Sequence, residues 1–356
     1  MRRLVPALAA VLLLTAAPGA GQSPATGTEV GNSILESYIE LLRQQTGIPG
    51  ISAALVQNGE VVWERGLGMA NQETRVRATP DTPYLISDLS QTFAAALILR
   101  CAEMRRLDLD ATASAHGVVL PEGDASLRQV LSHASTSSPN GFKYDPARYA
   151  LLTRAVEGCE QQPYRRTLVR RIIDPLAMID TVPGRDLQNA SALPEGFFEP
   201  PALQRYAATL ERLAVPYKVD GRRRATRTDL AVDGVNAATG IVSTVRDLAR
   251  LDLAWENDTF LKPDTMAAAW SPAPGPAGTW LPTGLGWFVQ SYRGMPVVWQ
   301  FGVTPNAYSA LVVKVPSRRV TLILLANSDG LTGPFQLEAG DVTRSLFAAM
   351  FLRLLL

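Results

Sequence analysis

A short stretch at residues 87–91, Ser-Asp-Leu-Ser-Gln, precedes a long apolar segment and carries groups that could do chemistry. A serine followed one helical turn later by a neutral lysine can lose its proton and act as a nucleophile. None of the four lysines in this chain stands three residues after a serine. Asp88 and Gln91 instead have the spacing of a helix capping box, in which the acid accepts a backbone N–H and the glutamine reaches back.

Asp88 could itself serve as a nucleophile or a base, as carboxylates do in some enzymes. The N-terminus of a helix favours the anionic form, so we expect a lowered pKa for Asp88 and weak basicity. His116 lies in a loop-like stretch without an evident partner. Two histidines without ligand-like spacing and two distant cysteines predict no metal site. No Gly-rich phosphate loop is found in the sequence, and we expect no cofactor.

The elements that position these residues can be predicted from apolar periodicity. Asn58-Gly59 lies between two β-rich runs and is typical of a hairpin. Residues 195–235 show no clean period. Helices are predicted at 31–46, 91–106, 149–158, 165–181, 240–255 and 341–356, and later strands at 286–292, 296–302, 309–315 and 319–327.

This order of elements predicts an α+β fold with an antiparallel sheet that both ends of the chain complete. Terminal helices flank the sheet, and the middle of the chain forms a mostly helical lobe. We expect one domain over residues 22–356. Its α/β lobe covers about 31–90 and 280–356, and its helical lobe covers about 91–279.

Charge and the N-terminus restrict the function classes. Lys and Arg number 34 against 33 for Asp and Glu, which gives no reason to expect a nucleic-acid partner. Residues 1–21 combine two arginines, an apolar run and small residues, which predicts a cleaved signal peptide and export to the periplasm or outside the cell. A retained membrane anchor is the alternative; after cleavage of the signal peptide we expect no stable membrane span.

Cys101 and Cys159 could pair in an oxidising compartment or remain buried thiols.

Several segments, taken in order, resemble the penicillin-recognising serine hydrolases: class C β-lactamases, D-alanyl-D-alanine carboxypeptidases and related esterases. The resemblance covers roughly residues 33–350. It is carried by GIPGISAALVQNGEVVWERGLGMAN, LRQVLSHAST, YALLTRAVE with IIDPLAMIDT, AATGIVSTVRDLARL, and the terminal strands from GLGWFV to LLANSDG.

The resemblance implies three catalytic motifs, and each of them is altered in this chain. The family has Ser-x-x-Lys at the start of the central helix, then Tyr-x-Asn, then a strand with Lys or His that ends in glycine. The positions that correspond to these motifs are Asp88 and Gln91, then Tyr144 and Pro146, then Gln300, Phe301 and Gly302. By the same resemblance, His133 is a structural histidine.

The altered motifs predict an exported, catalytically inactive homologue that binds a cell-wall peptide or small acyl ligand, or acts as a scaffold. One alternative is a divergent hydrolase that uses Asp88, Ser87 or Ser90 with Tyr144. Another is a peptide-binding module in which residues 222–224, three arginines, favour acidic ligands. A solvated loop is the simpler interpretation of that charge run.

Overall fold

The computed structural model describes residues 27–121, 123–194, 196–257 and 259–356. The predicted signal peptide lies outside these residues. Within the described ranges, no helix combines the length and the apolar character needed to cross a membrane.

The strands belong to one large sheet and two small ones. In chain order they are β1 (Gly50–Gln57), β2 (Glu60–Asn71), β3 (Val76–Arg77), β4 (Tyr84–Leu85), β5 (Val182–Pro183), β6 (Tyr217–Val219), β7 (Ala225–Arg227), β8 (Ile241–Ser243), β9 (Phe288–Tyr292), β10 (Met295–Thr304), β11 (Tyr308–Val315) and β12 (Val320–Ala326). The large sheet has seven strands in the order β3-β2-β1-β12-β11-β10-β9, and its pairings are antiparallel.

The two ends of the chain meet inside this sheet, as the sequence predicts. β1 pairs with β2 on one side and with β12 on the other. The β1–β2 turn is built by Asn58 and Gly59, whose φ angles of 53° and 81° are those of the tight hairpin turns that favour Asn-Gly. The Asn-Gly turn and the apolar residues of the strands were therefore sufficient to predict the centre of the sheet.

Helices cover both faces of the sheet. They are α1 (Gly27–Thr46), α2 (Gln91–Glu103), α3 (Leu127–Leu131), α4 (Pro146–Ala150), α5 (Thr153–Glu160), α6 (Tyr164–Leu168), α7 (Pro200–Glu211), α8 (Val245–Glu256), α9 (Pro263–Ala269) and α10 (Leu346–Leu355). α1 and α10 share an apolar core with one face, and α2 and α8 share a core with the other. β11 and β12 are buried along their whole length, which explains their nearly continuous apolar sequences. The α+β prediction is confirmed.

The helical part differs from the sequence prediction in detail. The helix predicted at 149–158 divides into α4 and α5, and the one predicted at 165–181 consists of α6 followed by a π-helical segment, Val169–Ile173. Residues 195–235 contain α7 and the β6–β7 hairpin. α7 escaped prediction because it buries only Tyr206, Thr209 and Leu210, which is too narrow a stripe to give a clear period.

The arginines at 222–224 lie in the exposed turn of the β6–β7 hairpin. Asp220 accepts the backbone N–H of Arg222 at 2.8 Å, and its carboxylate also pairs with the Arg224 guanidinium at 2.8 Å. This arrangement agrees with a solvated loop.

A disulfide joins α2 to α5. Cys101 and Cys159 are 58 residues apart in sequence, and their Cα atoms lie 6.4 Å apart. Closing a loop of this length in the unfolded chain corresponds to about 4 kcal/mol of stabilisation in the chain-entropy account. The bond therefore fixes the central helix α2 to the helical part of the molecule.

Candidate functional site

The site lies beside an edge of β10 that is left uncovered by the sheet. Residues 295–299 of β10 pair with β9, whereas residues 300–304 pair with β11 alone. The 3₁₀ turn Ser87–Ser90 packs against this edge and leads directly into α2. Gly302 permits the approach, because a Cβ atom there would lie 2.1 Å from the carbonyl oxygen of Ile86. Gly302 therefore serves close backbone packing.

Asp88 faces β10 and not the first turn of α2. Its carboxylate accepts the backbone N–H of Val303. Enclosure by protein atoms raises the pKa of Asp88 to about 7, and the Val303 hydrogen bond opposes that shift. The expected lowering of this pKa by the helix N-terminus is wrong, because loss of hydration outweighs the helix dipole. The carboxyl group is consequently close to half protonated at neutral pH.

Gln91 is fully buried and reaches across to two other segments. Its Nε2 donates to the hydroxyl of Tyr144 at 3.2 Å, and its Oε1 lies 3.0 Å from Nε2 of His133. The side chain therefore does not reach back to its own helix, and the predicted capping box of Asp88 and Gln91 is wrong. The Gln91 amide thus makes two hydrogen bonds to residues distant in sequence and not the single capping bond to the backbone at the start of α2.

His133 fixes the orientation of the Gln91 amide. Its Nδ1 accepts the backbone N–H of Asp145 at 3.2 Å, so the ring proton belongs on Nε2 and is donated to Gln91 Oε1. Burial, together with the positive charge of Arg148, lowers the pKa of His133 to about 3, while Asp145 opposes the shift. The imidazole is neutral at physiological pH and forms part of a fixed chain of hydrogen bonds.

Tyr144 stands at the end of this chain of hydrogen bonds and is half-buried among aromatic rings. Its ring lies 5.3 Å from that of Phe301 and 4.6 Å from that of His133, between centroids. Burial and the neighbouring charge of Asp88 raise the pKa of Tyr144 well above its ordinary value. The phenol is therefore neutral. Because its oxygen accepts from Gln91, its own proton is free to be donated to another group.

Pro146 and Gln300 support the local backbone. Pro146 begins α4 behind Asp145, whose carboxylate accepts the backbone N–H of Arg148 at 3.0 Å. Gln300 is buried, with Oε1 accepting the N–H of Phe301 at 2.9 Å and Nε2 donating to the carbonyl of Gly286 at 3.2 Å. Both polar ends of its amide are occupied by main-chain groups.

The two serines beside Asp88 have partners that cannot take a proton readily. Ser87 Oγ lies 2.6 Å from Thr304 Oγ1, and Ser90 Oγ accepts the N–H of Ile241 at 3.4 Å. Ser87 also has a φ angle of +50°, a left-handed conformation that is unfavourable for residues other than glycine. Within the described part of the chain, neither serine is paired with a base.

The structure thus brings together Asp88, Gln91, Tyr144 and Gly302 of the positions named from sequence. The structural role inferred for His133 agrees with its buried, neutral ring, although its bond to Gln91 was not foreseen, and the role of Val303 was missed. For His133 a signal existed, because a buried histidine shortly before Tyr144 is well placed to join its hydrogen bonds. For Val303 the signal was absent, since the group that acts is its backbone N–H.

Metal binding finds little support in the described part of the chain. Among the described residues, one group of three side chains has ligand atoms close enough together to hold a metal ion, and it consists of Cys101, Cys159 and Glu160. The two sulfurs are joined in the disulfide, and Glu160 pairs with Arg171 at 2.7 Å. These residues do not fit a metal ion.

Solved structures share this fold at low sequence identity. An octameric penicillin-binding protein homologue from Pyrococcus abyssi has a TM-score of 0.71 at 19% identity, covering 90% of this chain and 77% of that one. A class C β-lactamase has a TM-score of 0.70 at 17% identity, covering 93% and 98%. A D-amino acid amidase from Ochrobactrum anthropi has a TM-score of 0.66 at 21% identity, covering 90% and 99%.

Characterised relatives match over shorter stretches. The mitochondrial serine β-lactamase-like protein LACTB of Mus musculus is 30% identical over 129 residues, 33% of this chain and 23% of that protein. Protein flp of Staphylococcus aureus is 24% identical over 185 residues, 41% of this chain and 37% of that protein. These matches span well under half the length of either relative. The sequence model of the Beta-lactamase family, by contrast, matches residues 35–344, and the chain therefore belongs to that family.

Proposed function

We propose that this chain is a non-acylating member of the Beta-lactamase family that binds a small acyl or peptide ligand at the β10 edge without hydrolysing it. One observation carries the proposal. At the start of α2, where a nucleophile and a base would stand one turn apart, Asp88 is bonded to Val303 N–H and Gln91 is bonded to His133 and Tyr144.

The chemistry of these groups argues against acyl transfer. An amide side chain such as that of Gln91 cannot take a proton from a hydroxyl group at neutral pH. His133 is neutral, yet its Nδ1 lone pair is occupied by the N–H of Asp145. Tyr144 is a neutral phenol with a raised pKa, so it donates a hydrogen bond more readily than it accepts a proton. A nucleophile–base unit that loses its members loses about 10⁴- to 10⁶-fold in kcat.

The same groups suit a ligand that offers hydrogen-bond acceptors. The Tyr144 hydroxyl has a proton to donate, and the Asp88 carboxyl has one in its protonated form. On that edge of β10, the N–H of Phe301 is held by Gln300 Oε1 and that of Val303 by the Asp88 carboxylate, so a ligand meets side-chain donors there and not a free strand edge. Structural neighbours named as a penicillin-binding protein homologue and a D-amino acid amidase support a cell-wall peptide or another small acyl compound as the ligand class.

Export forms the second half of the proposal. The Cys101–Cys159 disulfide supports an oxidising compartment, because structural disulfides persist there and are rare in reducing ones. Together with the predicted signal peptide, the bond favours the periplasm or the cell exterior. Fractionation of cells that express the full chain tests this, and a wholly cytosolic protein with an intact leader would contradict it.

The test of non-acylation is an intact-mass measurement after incubation with a broad β-lactam and with a fluorophosphonate. We expect an unmodified mass for the wild type. Binding is measured in parallel by calorimetric titration with a D-alanyl-D-alanine peptide, comparing the wild type with Tyr144→Phe, which removes only the hydroxyl group. We expect the variant to bind more weakly; because phenylalanine also leaves the buried Gln91 Nε2 without its acceptor, the accompanying loss of about 1–3 kcal/mol of stability is measured separately.

A stoichiometric adduct would instead support the divergent hydrolase. Its location distinguishes the candidate nucleophiles: loss of the adduct in Ser87→Ala, Ser90→Ala or Asp88→Asn identifies the group that carries it. Absence of both adduct and peptide binding would favour a scaffold role, and the ligand half of the proposal would be discarded.

A further inference from the structure

A second polar cluster lies between α8 and the sheet and has no part in the candidate site. It consists of Lys314 on β11 and of Asp252 and Glu256, one turn apart on α8. The side chains of Lys314 and Asp252 are 1% and 2% exposed, and that of Glu256 is 9% exposed. Three ionisable groups are thus held out of water at one point of the core.

The contacts place the amine against one carboxyl group and near the other. Lys314 Nζ donates to Asp252 Oδ1 and, at 2.9 Å, to Thr321 Oγ1. Glu256 Oε1 lies 3.8 Å from the same nitrogen. Asp252 Oδ2 and Glu256 Oε2 are both buried, and neither has a hydrogen-bond partner among the described residues. Each carboxyl group therefore has one oxygen bound to or facing the amine and one oxygen left unsatisfied.

The Lys314–Asp252 contact is bordered by an aromatic ring and by a small, mainly apolar cavity. The ring centroid of Trp270 lies 5.3 Å from Lys314 Nζ. The cavity beside Asp252 is lined mainly by apolar side chains and has about 10 Å³ of free volume, at the lower limit for one water molecule. Burial raises the pKa of Glu256, with the charge of Lys314 opposing and that of Asp252 adding to the shift.

We propose that Lys314 and Asp252 join covalently in an intramolecular isopeptide bond, and that Glu256 shuttles the proton that the reaction requires. The Lys314 ammonium first gives a proton to the Asp252 carboxylate, which converts an ion pair into a neutral amine and a neutral acid. The amine nitrogen then bonds to Cγ of Asp252. Glu256 takes a proton from that nitrogen and delivers it to the departing hydroxyl, which leaves as water.

The step balances without any added reactant. An ammonium and a carboxylate become an amide and one water molecule, and Glu256 ends in its starting state. Condensation is favoured here because fixed neighbours react with effective concentrations far above those reached in solution. The small volume beside Asp252 also limits the access of water for the reverse hydrolysis, and the product no longer buries an ion pair. Arg319 remains near Glu256 as a counter-charge.

The proposal is tested on the full folded chain by intact-mass spectrometry and by fragmentation of a protease digest. We expect the wild type to be lighter than its reduced sequence mass by one water molecule, with the loss on a branched peptide that joins Asp252 to Lys314. Trypsin is expected not to cut after Lys314. Glu256→Gln keeps the shape of the side chain but cannot shuttle the proton, so its mass is expected to show no water loss.

Asp264→Asn, an exposed acid on α9, serves as the matched control and should retain the loss. A wild type of full mass, or tryptic fragments that end at Lys314, would overturn the proposal and leave a buried ion pair. A water loss placed on a linear peptide would overturn it as well. Since Glu256→Gln retains the Lys314–Asp252 contact, circular dichroism can confirm that this variant is folded before its mass is interpreted. The outcome is independent of ligand binding at Asp88.

Discussion

His133 and Gln91 form one buried hydrogen-bonded pair, with His133 Nε2 3.0 Å from Gln91 Oε1. The pair spans 42 residues of sequence and directs the Gln91 amide toward Tyr144. The start of α2 is thus held by neutral hydrogen bonds. A base in this place would need a different set of partners.

Asp88 should make stability depend on pH. Its pKa is about 7 in the folded state against 3.8 for an ordinary aspartate, so the folded protein binds more protons between these values. The stabilisation is complete below pH 3.8 and is lost as pH rises through 7, by up to about 4 kcal/mol. Urea unfolding at pH 5 and pH 8 should show this decline in the wild type and a smaller one in Asp88→Asn. Equal declines in both proteins would refute the assignment.

Replacing Gln91 by methionine should destabilise the fold. The variant keeps the length of the side chain but leaves His133 Nε2–H and the Tyr144 hydroxyl without their partner, at about 1–3 kcal/mol for each unsatisfied group. Gln72→Met, at an exposed position, is the control and should stay within about 0.5 kcal/mol of the wild type. Chemical denaturation measures both, and similar values for the two variants would contradict the network.

Gly302→Ala should be poorly tolerated. The added Cβ would lie 2.1 Å from the Ile86 carbonyl oxygen, so β10 or the Ser87–Ser90 turn must move, at about 3 kcal/mol. Gly158→Ala is the matched control, because open space surrounds that position in α5 and alanine favours helix by about 1 kcal/mol. Melting temperatures should therefore move in opposite directions. If Gly302→Ala had the melting temperature of the wild type, the contact between Gly302 and Ile86 would not be tight.

The double variant Asp88→Ser/Gln91→Lys should gain reactivity with a fluorophosphonate. It frees Val303 N–H from the carboxylate and places a serine one helical turn before an amine that can take its proton. Asp88→Ser alone should remain unlabelled. Turnover of a β-lactam should stay undetectable in both, because Gln300 is tied to the backbone and Pro146 offers no amide. Mass spectrometry and absorbance assays check the two outcomes.

Sequence reasoning succeeded where structure follows from local pattern. The Asn58-Gly59 turn and the continuous apolar runs of β11 and β12 specify the sheet without reference to distant residues. The family resemblance, which rests on several segments in order, located the start of α2 and its pairing with Tyr144. The hairpin turn, the buried strands and the position of the α2 start can each be predicted from a short segment of the sequence or from a family motif.

Prediction from the sequence failed where a side chain can bond either to its own segment or to a residue distant in sequence. The spacing of Asp88 and Gln91 satisfies the capping pattern, yet Asp88 bonds to a backbone N–H on β10 and Gln91 to His133. The sequence of residues 87–91 does not indicate either partner, because both hydrogen bonds form only when the turn packs against the sheet. The raised pKa of Asp88 has the same origin, since only the folded state encloses its carboxyl group.

The position of β1 beside β12 also has a consequence for the order of folding. Ile51 lies opposite Ala326, so the first half of the sheet cannot find its neighbour until nearly all of the chain has been synthesised. Pairings that are so distant in sequence slow folding and delay burial of the apolar strands. The newly made chain therefore keeps the β12-facing edge of β1 unpaired until its last strands appear, and during that time the apolar strand is open to pairing with other chains.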